Sequence, residues 1–236
     1  MMEKSIDKIR EAEKASHIEI YSTAKLFESG SWLHKPVKTV LDILPLFEDY
    51  TELNVLDLGS GVGRNCIPIA QNFSDISCRI DCVDILDFAI EELKNNSIRY
   101  NVEKNINGIV SSIDDFDIEE DHYDFILAVS ALEHIVSEKA FENKLSEIQK
   151  GTKQNGIICM IINSEVNEKN KETGVALVPQ FEVNLKTSEL EELLENIFGG
   201  WEVLKKTVVS QRYDIPRDNC TADLSTNVVT IVARKG

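Results

Sequence analysis

The residues with the most evident chemistry lie in Asn54-Val55-Leu56-Asp57-Leu58-Gly59-Ser60-Gly61-Val62-Gly63-Arg64-Asn65, where an apolar run leads into three glycines at alternating positions. Glycines at that spacing permit positive φ, and a helix starting there offers main-chain amides to a ligand. A phosphate-loop NTPase is excluded, because no Gly-Lys-Ser/Thr follows. A dinucleotide fingerprint places its third glycine one residue later, where this chain has Arg64. Asp57, two residues before the first glycine, would repel a pyrophosphate and suit a cationic ligand. Asp84 ends the next apolar run, 27 residues after Asp57, where an acid can take both hydroxyls of a ribose.

These groups need a scaffold that brings strand ends together. The pattern predicts strands over 53–58, 78–83, 108–111, 123–129 and 157–162, all short and nearly continuous apolar runs. Such runs read as strands buried on both faces of a parallel sheet. Helices are predicted over about 63–73, 87–95 and 137–150 between them, and over 188–198 with Ser188 and Glu191 as a capping box. Residues 3–28 read as a helix, and Pro36 suits the first turn of a second one carrying Val37 to Leu44. Two longer strands, 201–210 and 226–234, separated by a loop of about 15 residues, close the chain as an antiparallel pair at a sheet edge. The expected fold is α/β, a Rossmann-like doubly wound and mostly parallel sheet with an antiparallel C-terminal edge hairpin and an N-terminal helical cap. One domain spans 1–236: a cap over 1–50, a cofactor-binding core over 51–162, and a substrate-side insertion with the C-terminal strands over 163–236.

Composition narrows the partners. A net charge of −16 repels nucleic acid and anionic membrane, both of which need a basic footprint. No apolar run reaches the length of a membrane span, and the start of the chain lacks the apolar stretch of a signal peptide. Five cysteines, an odd number mostly inside apolar runs, read as reduced thiols of a cytoplasmic protein. Cys78 and Cys82 have no second pair or nearby histidine, so no metal site is expected. The expected partner is a small-molecule acceptor, with neither nucleic acid nor membrane, and the chain acts as a monomer or homodimer.

An ammonium beside Asp57 and a ribose beside Asp84 together describe S-adenosylmethionine, with S-adenosylhomocysteine as the product. The sequence resembles the class I S-adenosylmethionine-dependent methyltransferases. Val55 to Gly63 matches that family's glycine motif without a gap, and Asp84 matches the acid closing strand two. Asp114, in Ser111-Ser112-Ile113-Asp114, matches the acid that bonds the adenine amino group, although Asp115 and Asp117 share its acidic loop. Tyr123 to Ser130 matches the strand running under the cofactor. The resemblance implies cofactor contacts from Asp57, Gly59, Ser60, Gly61, Gly63, Arg64, Asn65, Asp84, Ile85, Ile113, Asp114, Val129, Ser130 and Ala131. For the last three, strand-end packing is the competing role.

Ser130-Ala131-Leu132-Glu133-His134-Ile135 places a histidine after strand four. His134 either stacks near the cofactor, serves as general base for a hydroxyl or amine, or makes a structural hydrogen bond. The chain is also similar to the tellurite-resistance protein B subgroup, through Gly63-Arg64-Asn65, Leu177 to Phe181, Trp201-Glu202-Val203 and Ala233-Arg234-Lys235. That subgroup carries a His-Arg pair after the Trp strand; here the positions are Gln211 and Arg212. Arg212 either holds an anionic acceptor or forms a surface ion pair. Tyr21, Trp32 and Phe181 are candidate walls of the acceptor pocket or ordinary aromatic core, and Tyr21 is a second candidate base. The implied reaction is methyl transfer to a soft chalcogen (tellurite, selenite or a thiol) or to a small oxygen or nitrogen nucleophile. An NAD-dependent oxidoreductase and a non-catalytic S-adenosylmethionine-binding module are the alternatives.

Overall fold

The computed structural model describes residues 24–217 and 220–236. Helix α1 (Lys38–Ile43) precedes β1 (Glu52–Leu58), α2 (Cys66–Asn72), β2 (Ser77–Asp84), α3 (Asp87–Arg99), β3 (Ile106–Val110) and β4 (Tyr123–Val129). There follow α4 (Glu138–Gly151), β5 (Thr152–Asn170), the short β6 (Ala176–Leu177), α5 (Thr187–Phe198), β7 (Glu202–Arg217) and β8 (Cys220–Arg234).

One sheet takes them in the order β3-β2-β1-β4-β5-β8-β7, with β6 paired to β5. The pairs from β3 to β5 are parallel, and β8 runs antiparallel to both β5 and β7. The sheet is thus mostly parallel with an antiparallel C-terminal hairpin. Strand order reverses at β1, which lies between β2 and β4, and the crevice beyond the carboxyl ends of such strands is where open α/β sheets bind ligands.

Side chains alternate across each strand, so both faces need apolar residues. Val55, Ile80, Phe125 and Leu127 pack on one face with Phe47, Ile67 and Ile90. Leu56, Leu58, Ile126 and Ala128 pack on the other with Phe141, Leu145 and Leu190. These side chains are almost fully buried, which explains why the strands read as continuous apolar runs.

Several boundaries differ from the sequence reading. Of the predicted helix over 3–28, residues 3–23 lie outside the described residues, and 24–28 are bends and turns. Phe27 has φ 64 there, and its N–H closes a loop onto the Leu33 carbonyl at 3.1 Å. β5 runs eight residues beyond Ile162, and the described residues of the 15-residue loop instead extend both hairpin strands, with Gln211 opposite Thr226 and Arg217 opposite Cys220. The polar residues that masked these extensions are paired: buried Glu168 accepts from the Arg217 guanidinium through both oxygens. The α5 cap lies at Lys186, whose N–H donates to the Glu189 carboxylate at 3.2 Å, not at Ser188 and Glu191.

Candidate active site

The carboxyl ends of β1, β2 and β4 open onto a cavity of about 680 Å³. Its inner wall is the turn after β1, where Gly59 and Gly61 have φ 74 and 52. Glycine is required at the first position: a Cβ on Gly59 would come 2.3 Å from the Ala131 Cβ. The turn after β1 and the turn after β4 therefore touch. Gly63 is set back from the wall; a Cβ there would meet Ile67 and Leu93, so its role is to let α2 and α3 close on each other. Gly63, expected among the cofactor contacts, is not one of the residues lining the cavity.

Asp84 lines the cavity with both oxygens fixed by the main chain. Oδ2 accepts from Gly61 N at 2.8 Å and Oδ1 from Leu86 N at 2.9 Å. Asp57 is behind the turn rather than on the wall, and is only 1% exposed. Its Oδ2 has no hydrogen-bond partner among the described residues. Burial first, then the Asp84 charge, pushes its pKa up to about 7, and Arg64 acts in the opposite sense.

The opposite wall carries Ile85, Ile113, Asp114, Val129, Ser130 and Ala131. Asp114 lines it while Oδ1 accepts from Val136 N at 3.0 Å; Asp115 turns away to the Ser112 hydroxyl. Ser60 and Asn65 also face the cavity, the Asn65 amide oxygen accepting from Val37 N at 3.1 Å. At the mouth, the Arg64 guanidinium lies 4.9 Å from the Trp32 ring centroid and donates to the Trp32 carbonyl.

A different part of the chain closes the cavity. The 178–185 segment is stitched to the strand edge: Val183 N donates to Glu133 O, Glu165 N to Leu185 O, and the Asn184 side chain pairs both main-chain groups of Val166. This brings Phe181 and Glu182 to His134. The His134 and Phe181 rings stack at 5.2 Å, and His134 Nδ1 lies 3.1 Å from Glu182 Oε2, whose side chain is fully buried. Glu133 points elsewhere; buried and bonded to Asn163, it has its pKa raised by burial.

A second chamber of about 290 Å³ adjoins the first and shares Arg64, Val129, Ser130 and Tyr213 with it. Phe181 lines this chamber, Trp32 lines the larger one, and Tyr21 lies outside the described residues. Arg212, expected at the acceptor, faces away. Its guanidinium is paired with Asp223 on the exposed side of the hairpin, because alternation along β7 gives the inner face to Gln211 and Tyr213. The sequence reading missed Glu182, Tyr213, Asp214 and Ile215 on the walls. Glu182 is one acid among forty-one Asp and Glu residues, and the other three belong to a strand taken to end at Ser210.

Residues 55–156 match the model of a methyltransferase domain family. The matched segment runs from β1 into the start of β5. Solved structures with the same fold include TehB from Haemophilus influenzae, at 20% identity and TM-score 0.60, covering 83% of this chain and 62% of that one. This chain thus spans less than two thirds of TehB. The [4+2]-cyclase SpnF aligns at 15% identity and TM-score 0.58, over 88% of this chain and 83% of its own. A geranyl diphosphate methyltransferase in complex with S-adenosylmethionine aligns at 11% and 0.58, over 84% of each. No curated protein matches the chain. The glycine turn, Asp84 and the β4 end all belong to the matched segment, whereas Phe181, Glu182 and the hairpin lie beyond it.

Proposed function

We propose that this protein transfers a methyl group from S-adenosylmethionine to a small-molecule acceptor. One observation carries the reading: Asp84, held by two main-chain N–H groups, faces the same cavity as the glycine turn, with the buried Asp57 directly behind that turn. A pyrophosphate would meet two carboxylates there, whereas a ribose diol and a cationic amino acid are both favoured. The unpartnered Asp57 Oδ2 fits a positive ligand whose field reaches it through the turn.

These cavity-lining residues would hold the cofactor: Asp84 would accept from the ribose hydroxyls, Ile85 and Ile113 would flank the adenine, and Asp114 would accept from its amino group. Gly59, Ser60 and Gly61 would admit the methionine portion, with Val129 to Ala131 beneath it. The bound cofactor supplies an electrophilic methyl on a sulfonium, so the protein's contribution is alignment and exclusion of water. His134, oriented through Nδ1 by Glu182 and by stacking on Phe181, takes the proton of a hydroxyl or amine acceptor. Net charge and the closed walls favour a small acceptor over a nucleic acid.

Calorimetric titration with S-adenosylhomocysteine, with NADH as the parallel ligand, tests the reading. Micromolar binding of the first and none of the second is expected. The reverse pattern would make the protein a nicotinamide enzyme and overturn the assignment of Gly59–Gly63.

A further inference from the structure

We infer that the 290 Å³ chamber is the acceptor subsite, and that it selects a compact, uncharged, largely apolar molecule bearing a hydroxyl group rather than an oxyanion. This rests on the cofactor reading above, since the methyl must arrive from the adjoining cavity.

Size comes first. A chamber of about 290 Å³ stands at the bottom of the range for small-molecule sites, so it takes a single ring or its equivalent. Its body is Val37, Ile161, Phe181, Leu224 and Val228, which gain most by covering apolar surface.

Charge comes second. Among the described residues, Arg64 is the one ionisable cation lining the chamber, and its guanidinium is already engaged by the Trp32 ring and carbonyl. Arg212, the cation that the tellurite-resistance resemblance would supply, is paired with Asp223 on the far face of the same strand. An oxyanion entering the chamber would lose its hydration without cationic replacement, which is costly.

The third observation is what the chamber offers instead. Asn163 is committed to Glu133 and Thr226. The Gln211 amide and the Tyr213 hydroxyl, by contrast, make no side-chain hydrogen bond among the described residues. They stand two residues apart on β7, so both project to the same side, into the chamber. Neutral donors and acceptors left unpaired in an apolar wall recognise a neutral polar group on the ligand. Tyr213 lines both chambers, so the polar end of the acceptor lies at the junction, toward the methyl donor. There the acceptor oxygen forms its bond to the methyl carbon as the carbon–sulfur bond breaks. The pair of that bond returns to sulfur, and the hydroxyl proton passes to His134 on the adjacent wall.

The test titrates p-cresol, benzyl alcohol and sodium tellurite into the protein, with and without saturating S-adenosylhomocysteine, and follows S-adenosylhomocysteine formation from S-adenosylmethionine with the same three compounds. At least one of the two alcohols is expected to bind and be methylated, while tellurite does neither. Gln211→Trp, which fills the chamber from the edge strand, is expected to weaken that binding at least tenfold and to leave S-adenosylhomocysteine affinity within twofold. Val228→Trp fills it from β8 and should do the same, which guards against a folding defect in either variant. Tellurite binding or turnover, failure of both alcohols, or alcohol binding unmoved by both variants would overturn the proposal. Failure of S-adenosylhomocysteine to bind would sink the cofactor reading instead, and the cofactor-free titrations would still read the chamber.

Discussion

The wall around Gly59, Asp84 and Asp114 is made by the ends of parallel strands, whereas the wall around Phe181, Gln211 and Tyr213 is made by an edge hairpin and a stitched segment. On the first side the key carboxylate is locked by main-chain donors, and the two turns are in van der Waals contact through Gly59 and Ala131. On the second side the Gln211 and Tyr213 side chains make no hydrogen bond among the described residues, and Tyr213 is 47% exposed. On the proposed reading, the site for the constant ligand is built into the sheet, and the site for the particular acceptor is hung on its edge. Edge positions can change type without disturbing the core, which is how one fold serves many acceptors.

Asp84→Ala should break the first side most severely. It removes a charged acceptor for two ribose hydroxyls, each bond being about 1.5–3 kcal/mol, and also releases the Gly61 and Leu86 amides. Calorimetry should show S-adenosylhomocysteine affinity falling by more than roughly a hundredfold, with p-cresol binding in the small chamber retained. Unchanged affinity would end the assignment of Asp84 and, with it, the contrast between the two walls.

Asp57 sharpens the contrast through pH. Its folded pKa of about 7 stands above the ordinary 3.8, so between those values the folded chain holds a proton that the unfolded chain has released. The group's contribution to stability is full below about pH 4 and is lost as pH rises through about 7. Asp57→Asn escapes that loss, so above neutrality it should be more stable than the parent, by on the order of 4 kcal/mol, with the difference closing toward pH 4. Affinity runs the other way: neutralising Asp57 weakens its pull on a cationic ligand. From about pH 8 to about pH 6 the parent's S-adenosylhomocysteine affinity should fall roughly tenfold while that of Asp57→Asn stays flat. A parallel pH profile in the two proteins would remove Asp57 from the binding site.

The same contrast explains what the sequence disclosed. The cofactor side is written in contiguous residues, because a strand, a turn and a helix start must follow one another there. The strand-end positions of Asp57, the three glycines and Asp84 were legible for that reason, as were β4 and the parallel core. Gly63 kept its spacing but packs between α2 and α3, and nothing local distinguishes a glycine lining a cavity from one between two helices. The acceptor side is assembled from residues 37, 161, 181, 211, 213 and 228, distant along the chain and joined only by the hairpin register. Glu168 and Arg217 hid the true length of β5 and β7, because a buried ion pair looks like loop until its partner is known. Glu182 acquires meaning only through its contact with His134.

The smallest effect is expected from Arg212→Ala, and that makes it informative. Arg212 and Gln211 are adjacent on β7 but on opposite faces, one in an ion pair with Asp223 and the other in the chamber. The exposed pair is screened by water and salt and does not brace the site. S-adenosylhomocysteine affinity and methylation of the alcohol that binds should stay within about twofold of the parent, with a barely measurable change in Tm, whereas Gln211→Trp removes acceptor binding. A large fall in turnover for Arg212→Ala at unchanged cofactor affinity would mean that the acceptor reaches the methyl from the outer face of the hairpin. The oxyanion chemistry of the tellurite-resistance resemblance would then regain its cation, and the division between a locked wall and an adaptable one would have to be redrawn on the other side of β7.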